Sequence, residues 1–107
     1  MQIEKRNVET SLPKKGFQRE ETHHIYFHHY YQNKYTGIST YVSHGANSIG
    51  DSLIQQMKKQ LRLNNPHQVI GLVNCPISGD EYIQILKLKG QLWRTNLVKY
   101  LGLYIWI

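Results

Sequence analysis

The spacing of apolar residues changes along the chain, and each change marks an element. Ile3, Val8 and Leu12 fall near one face of a helix, with Lys5, Arg6 and Glu9 left to water, which predicts a first helix over 3–12. Pro13 would clash inside a continuing helix and Gly16 suits a left-handed exit, so the helix should end between them. From Thr22 to Val42 the composition turns to Tyr, Phe, Ile, Val and Thr, residues that fit a pleated, half-buried surface. This predicts a hairpin with strands near 22–31 and 35–42, joined by the polar turn Gln32-Asn33-Lys34.

Ser43-His44-Gly45-Ala46-Asn47 breaks the strand pattern. Ile49, Leu53, Met57 and Leu61 then recur every four residues, with Ile54 beside them and Gln55, Gln56, Lys58 and Lys59 opposite, the mark of an amphipathic helix. Asn65 can cap a third helix and Pro66 suits its first position, so a short helix is expected to about Asn74. Ser78-Gly79-Asp80-Glu81 has the spacing of a capping box and opens a fourth helix carrying Tyr82, Ile83, Ile85 and Leu86. The tail LVKYLGLYIWI is too short to span a bilayer, for which a helix needs about 20 residues. Its apolar surface must nonetheless be covered, by packing over the helices of 66–88, by a homodimer, or by a partner.

Length and composition narrow the class. A chain of 107 residues makes one small domain and leaves no room for a two-domain cofactor enzyme. With 40% apolar and 19% charged residues it is neither a disordered polyelectrolyte nor a membrane-spanning protein. The lone Cys75 excludes an internal disulfide framework and a cysteine-based zinc cluster, and beside Pro76 it reads as a small buried hydrophobe. The N-terminus lacks a continuous apolar run, so a cytoplasmic protein is expected. The net charge of +6 favours a polyanionic partner. Nine basic residues against five acidic ones lie in 1–63 and four against two lie beyond, so the charge belongs to a folded surface and not to a basic arm.

The candidate chemistry lies in histidine. His23, His24, His28 and His29 crowd one predicted strand and His44 follows the next. Strand alternation puts His23, Ile25, Phe27 and His29 on a core-facing side, and His24, Tyr26, His28 and Tyr30 on an open one. The open row of imidazoles and phenols could stack on bases or donate to phosphates. It could also be a solvated sheet face. A shared metal ion fits poorly, because His24 and His28 would stand roughly 13 Å apart at about 3.3 Å per strand residue, against ligand bonds of about 2 Å. Acid–base catalysis fits a substrate such as RNA, whose 2′-hydroxyl supplies the nucleophile. No phosphate loop, dinucleotide fingerprint, nucleophile elbow or H-E-x-x-H zinc motif occurs.

Together, Lys14-Lys15-Gly16-Phe17, the pair His23-His24 before an aromatic strand, Ser43-His44-Gly45, and the run from Ile49 through Met57 and Leu61 to Leu63 resemble the HicA (YcfA-like) toxin family over about residues 3–63. The resemblance implies an α+β fold of order α-β-β-β-α. Its three-stranded antiparallel sheet would carry helices on one face, as in double-stranded-RNA-binding domains, with a short first strand near 17–20 and extra C-terminal helices. It implies a metal-independent, ribosome-independent mRNA interferase without a cofactor, neutralised by a HicB-like antitoxin. His23 would be the catalytic residue, with His24 as the alternative. Glu21-Thr22 stands where the family has Gly-Ser. Lys14, Lys15, Lys34, Lys58 and Lys59, with His44, are the candidate RNA contacts. A non-catalytic RNA- or protein-binding module of the same fold is the rival reading. Residues 1–63 would form the core, and 64–107 an extension packed on it or making an interface.

Overall fold

The computed structural model describes residues 2–74 and 76–92, which form an α+β fold around a three-stranded antiparallel sheet. Strand β1 (Ile3–Glu4) leads into helix α1 (Lys5–Ser11) and a 3-10 turn over Leu12–Lys15. Strands β2 (Phe17–Glu21), β3 (Ile25–Tyr31) and β4 (Lys34–Val42) build the sheet in the order β2-β3-β4. Strand β5 (Ser48–Ile49) pairs with β1 as a separate two-stranded ribbon. Helices α2 (Asp51–Gln60), α3 (Pro66–Val73) and α4 (Gly79–Leu88) follow.

The turns obey local chemistry. Gln32 and Asn33 both have positive φ (54° and 65°), the two-residue turn whose twist matches that of the flanking strands. Gly16 closes the 3-10 turn at φ 94°, and a Cβ there would lie 3.3 Å from the Tyr30 carbonyl oxygen and 3.4 Å from His29 Nε2. Only glycine fits both the backbone and the space. The Asn65 side chain accepts from Gln68 N–H with Pro66 at the first helical position, and Ser78 and Glu81 form both halves of the capping box.

One cluster of buried side chains joins all the elements. Phe17, Ile25, Phe27, Ile38 and Val42 supply the sheet's inner side, and Val8, Leu12, Ile54, Met57, Leu61, Leu72, Tyr82 and Leu86 supply the helical side. Tyr82 is fully buried, stacks on Phe17 at 5.7 Å and donates its hydroxyl to the Leu61 carbonyl at 2.8 Å. No helix among the described residues is long and apolar enough to cross a membrane.

Four expectations are corrected. Ile3 and Glu4 form a strand where a helix over 3–12 was predicted, although Ile3, Val8 and Leu12 are all buried as that periodicity demands. The strand expected over 22–31 begins at Ile25, because Thr22 N–H bonds back to the His24 carbonyl at 2.9 Å and closes a turn over 22–24. The helix after the sheet begins at Asp51, with Ile49 in β5. Its buried stripe is Ile54, Met57 and Leu61, while Leu53 keeps 46% of its surface in water. Finally, Lys15 is turned into the core and donates its Nζ to the carbonyls of Leu72 and Ile77, the latter at 2.7 Å. Cys75 and the apolar segment from Trp93 onward lie outside the described residues.

Candidate nucleic-acid interface

The outer side of the sheet is a layer of rings. On β3 the alternation places Tyr26, His28 and Tyr30 outward, and the register sets them against Tyr41, Ser39 and Tyr35 of β4. His24, just before β3, lies flat on Tyr41 at 4.9 Å with the planes 15° apart. Tyr26 lies parallel to His28 at 5.8 Å, and Tyr26 and Tyr41 meet at 5.4 Å. These half-buried or exposed π faces form the row that strand alternation predicts, widened by a second row from β4.

At one end of this layer the turn over 22–24 carries His23 and His24. His44, in the loop after β4, reaches across and donates its Nε2–H to the Thr22 carbonyl at 2.8 Å. Lys5 Nζ in turn holds the His44 carbonyl at 2.7 Å. Glu21 is flanked by His44 Nδ1 at 3.6 Å and Arg19 at 3.2 Å, so its carboxylate has cationic or polar groups on two sides. His23 is exposed, with its ring centroid 5.1 Å from that of His24 and 6.2 Å from that of Tyr26. Among the described residues no hydrogen bond orients it. His24 Nδ1 is buried without a hydrogen-bond partner among the described residues.

The remaining predicted contacts are dispersed. Tyr30 N–H bonds to the Gly16 carbonyl at 2.8 Å, which sets exposed Lys14 at the end of the sheet that also carries exposed Lys34. That end is opposite the His23–His24 turn, separated by the seven residues of β3. Lys58 and Lys59 ride the last turn of α2. Lys15 is unavailable to phosphate: its ammonium sits against carbonyls of the final turn of α3 and the loop beyond, where a cation complements the helix dipole.

His29 lies on the core-facing side that strand alternation predicts. It is 1% exposed, packed against Phe17 at 4.8 Å and edge-on to Tyr82 at 5.1 Å. The Thr36 hydroxyl donates to the His29 carbonyl, so His29 Nδ1–H donates to Thr36 Oγ1 at 3.1 Å, and Nε2 is buried with no hydrogen-bond partner among the described residues. A proton there would have no acceptor, and burial lowers the pKa of His29 to about 4.

Sequence reading passed over one constellation. The β3–β4 ladder shifts register between His28 and Tyr30, with Gly37 of β4 at φ 85°. Tyr35 and Ser39, about 13 Å apart in a regular strand at about 3.3 Å per residue, here bond hydroxyl to hydroxyl at 2.6 Å. Ser39 Oγ also meets His28 Nδ1 at 2.7 Å, and His28 Nε2 meets Glu20 at 2.8 Å. A glycine inside a strand was the available signal. Among the described residues no three His, Cys, Asp or Glu side chains converge as a metal site. Comparison with protein-family models, with curated proteins and with solved structures found no match.

Proposed function

We propose that the protein binds single-stranded RNA across the ring-covered face of its sheet and cleaves it without a metal ion, as the toxin half of a toxin–antitoxin pair. The observation that carries this reading is the continuous layer His24, Tyr41, Tyr26 and His28, ending at the His23–His24 turn that His44 pins. Bases stack on such faces whatever their identity, and a chain of net charge +6 draws a polyanion to them. A histidine at the edge of the layer meets the sugar–phosphate backbone, where proton transfer at the 2′-hydroxyl leads to strand scission. The wider reading includes the double-stranded-RNA-binding-domain-like arrangement, a HicB-like antitoxin, and a cytoplasmic setting.

Labelled single-stranded RNA incubated with the protein and EDTA should be cut. His23→Ala should reduce the rate by about 10² to 10⁴ while binding persists. Equal cleavage by wild type, His23→Ala and His24→Ala would remove both histidines from the chemistry. A second reading, RNA binding without cleavage, is favoured because no hydrogen bond orients His23 among the described residues, since acid–base catalysts are normally held by a neighbour. Tight binding with no EDTA-resistant cleavage decides for it.

A further inference from the structure

The Glu20–His28–Ser39–Tyr35 chain has a direction that the hydrogen-bond inventory settles. A carboxylate only accepts, so His28 Nε2 carries the hydrogen given to Glu20. In the neutral ring Nδ1 then accepts from the Ser39 hydroxyl, and Ser39 Oγ accepts from Tyr35. Both nitrogens of His28 are engaged, which makes the imidazole a strut that aims the Glu20 carboxylate. Glu20, His28, Tyr30 and Tyr35 line an open cleft of about 240 Å³ beside the ring layer.

A carboxylate is out of place on a surface meant for phosphates, because it repels them. It earns a position among stacking rings by reading the donor edge of a base. We propose that this cleft is a guanine subsite for single-stranded RNA, a reading that rests on the RNA-binding role above. Guanine presents N1–H and N2–H side by side, matched to the two oxygens of one carboxylate. Adenine and cytosine offer a single amino group on that edge, and the one imino N–H of uracil is flanked by carbonyls that a carboxylate opposes. Glu20 Oε1 retains a lone pair beyond its bond to His28, and Oε2 makes no hydrogen bond among the described residues. The tilted rings of Tyr30 and Tyr35, 5.7 Å apart, supply apolar walls for any base, so stacking contributes affinity and Glu20 contributes choice.

The test uses the full chain and labelled 2′-fluoro octauridine, which lacks the reactive hydroxyl, with one central position changed to guanosine, adenosine, cytidine or inosine. Fluorescence anisotropy should show the guanosine oligomer binding about 5- to 150-fold more tightly than the adenosine or cytidine ones, with inosine, which lacks the N2 amino group, between. Glu20→Gln should abolish that advantage and leave octauridine affinity unchanged or slightly improved. His28→Phe, which removes the strut, should shrink the advantage in the same direction. Equal affinities across the four bases in wild type overturn the subsite and leave RNA binding standing. A Glu20→Gln loss common to every oligomer overturns it too, by making Glu20 merely structural. Failure of all oligomers to bind removes the RNA reading and the subsite together.

Discussion

Lys14 and Lys15 are adjacent, carry the same charge and have opposite roles. Lys15 is buried beneath the turn with its ammonium on two carbonyls, while Lys14 is open to water at the edge of β2. Hydrogen bonds to a charged donor are worth about 1.5–3 kcal/mol each, and losing the donor strands both acceptors. Lys15→Met should therefore lower the unfolding free energy by about 2 kcal/mol or more in urea titration and leave the salt dependence of RNA binding unchanged. Lys14→Ala should do the reverse, with stability within about 0.5 kcal/mol of wild type and a slope of log K against log salt shallower by about 0.7 if Lys14 meets a phosphate. A stable Lys15→Met with a shallower slope would return Lys15 to the surface.

Helix α2 shows how a four-residue repeat can mislead at the scale of one element. Leu53 and Ile54 both lie beside the Met57–Leu61 line, and a turn of about 100° per residue separates them. The β1–β5 ribbon captures Ile49 and starts the helix two residues later, and Thr40 Oγ1 donates to Gln60 at 2.7 Å at its other end. Anchored at both ends, α2 rolls Ile54 to 1% exposure and Leu53 toward solvent, where it borders a small apolar hollow with Tyr41 and Met57. Ile54→Ala should cost about 2–4 kcal/mol by loss of buried surface and creation of a void. Leu53→Ala should cost under about 1 kcal/mol. Denaturant midpoints of the two variants check this, and equal losses would mean that the helix sits rotated from this packing.

At the scale of the whole molecule, His29 couples the sheet to α4. Its ring touches Phe17 of β2 and Tyr82 of α4, and it bonds to Thr36 of β4. Burial depresses its pKa from 6.5 to about 4, so the unfolded chain takes up a proton that the folded one refuses. The contribution of the neutral ring is complete above pH 6.5 and is lost as pH falls from 6.5 toward 4, at about 1.4 kcal/mol per unit inside that window. Urea midpoints at pH 7.5 and 5 should fall for wild type and fall less for His29→Gln, whose side chain does not titrate. Parallel declines would show that His29 is protonated in the fold as readily as outside it.

Much of this architecture was legible along the chain. The aromatic hairpin, the Pro66 helix, the capping box at Ser78 and the outward row of Tyr26, His28 and Tyr30 follow from local rules, because alternation, caps and turn residues act over a few positions. What those rules could not reach depended on partners distant in sequence. Lys15 is buried because the end of α3 and the loop beyond it offer carbonyls 57 and 62 residues away, and no local pattern distinguishes it from Lys14. His23 leaves the strand because the turn closes at His24, and His44 joins it from 22 residues beyond Thr22. The Glu20–His28–Ser39–Tyr35 chain needs three strands in register and a bulge at Gly37, so it exists only after the sheet has formed. Sequence by itself determined the hairpin, the helices after it and their caps, but not the short β1 and β5 strands or which of Leu53 and Ile54 faces the core. Tertiary structure decided which polar side chains meet, because a hydrogen bond depends on distances of a few tenths of an ångström that only the packed sheet sets.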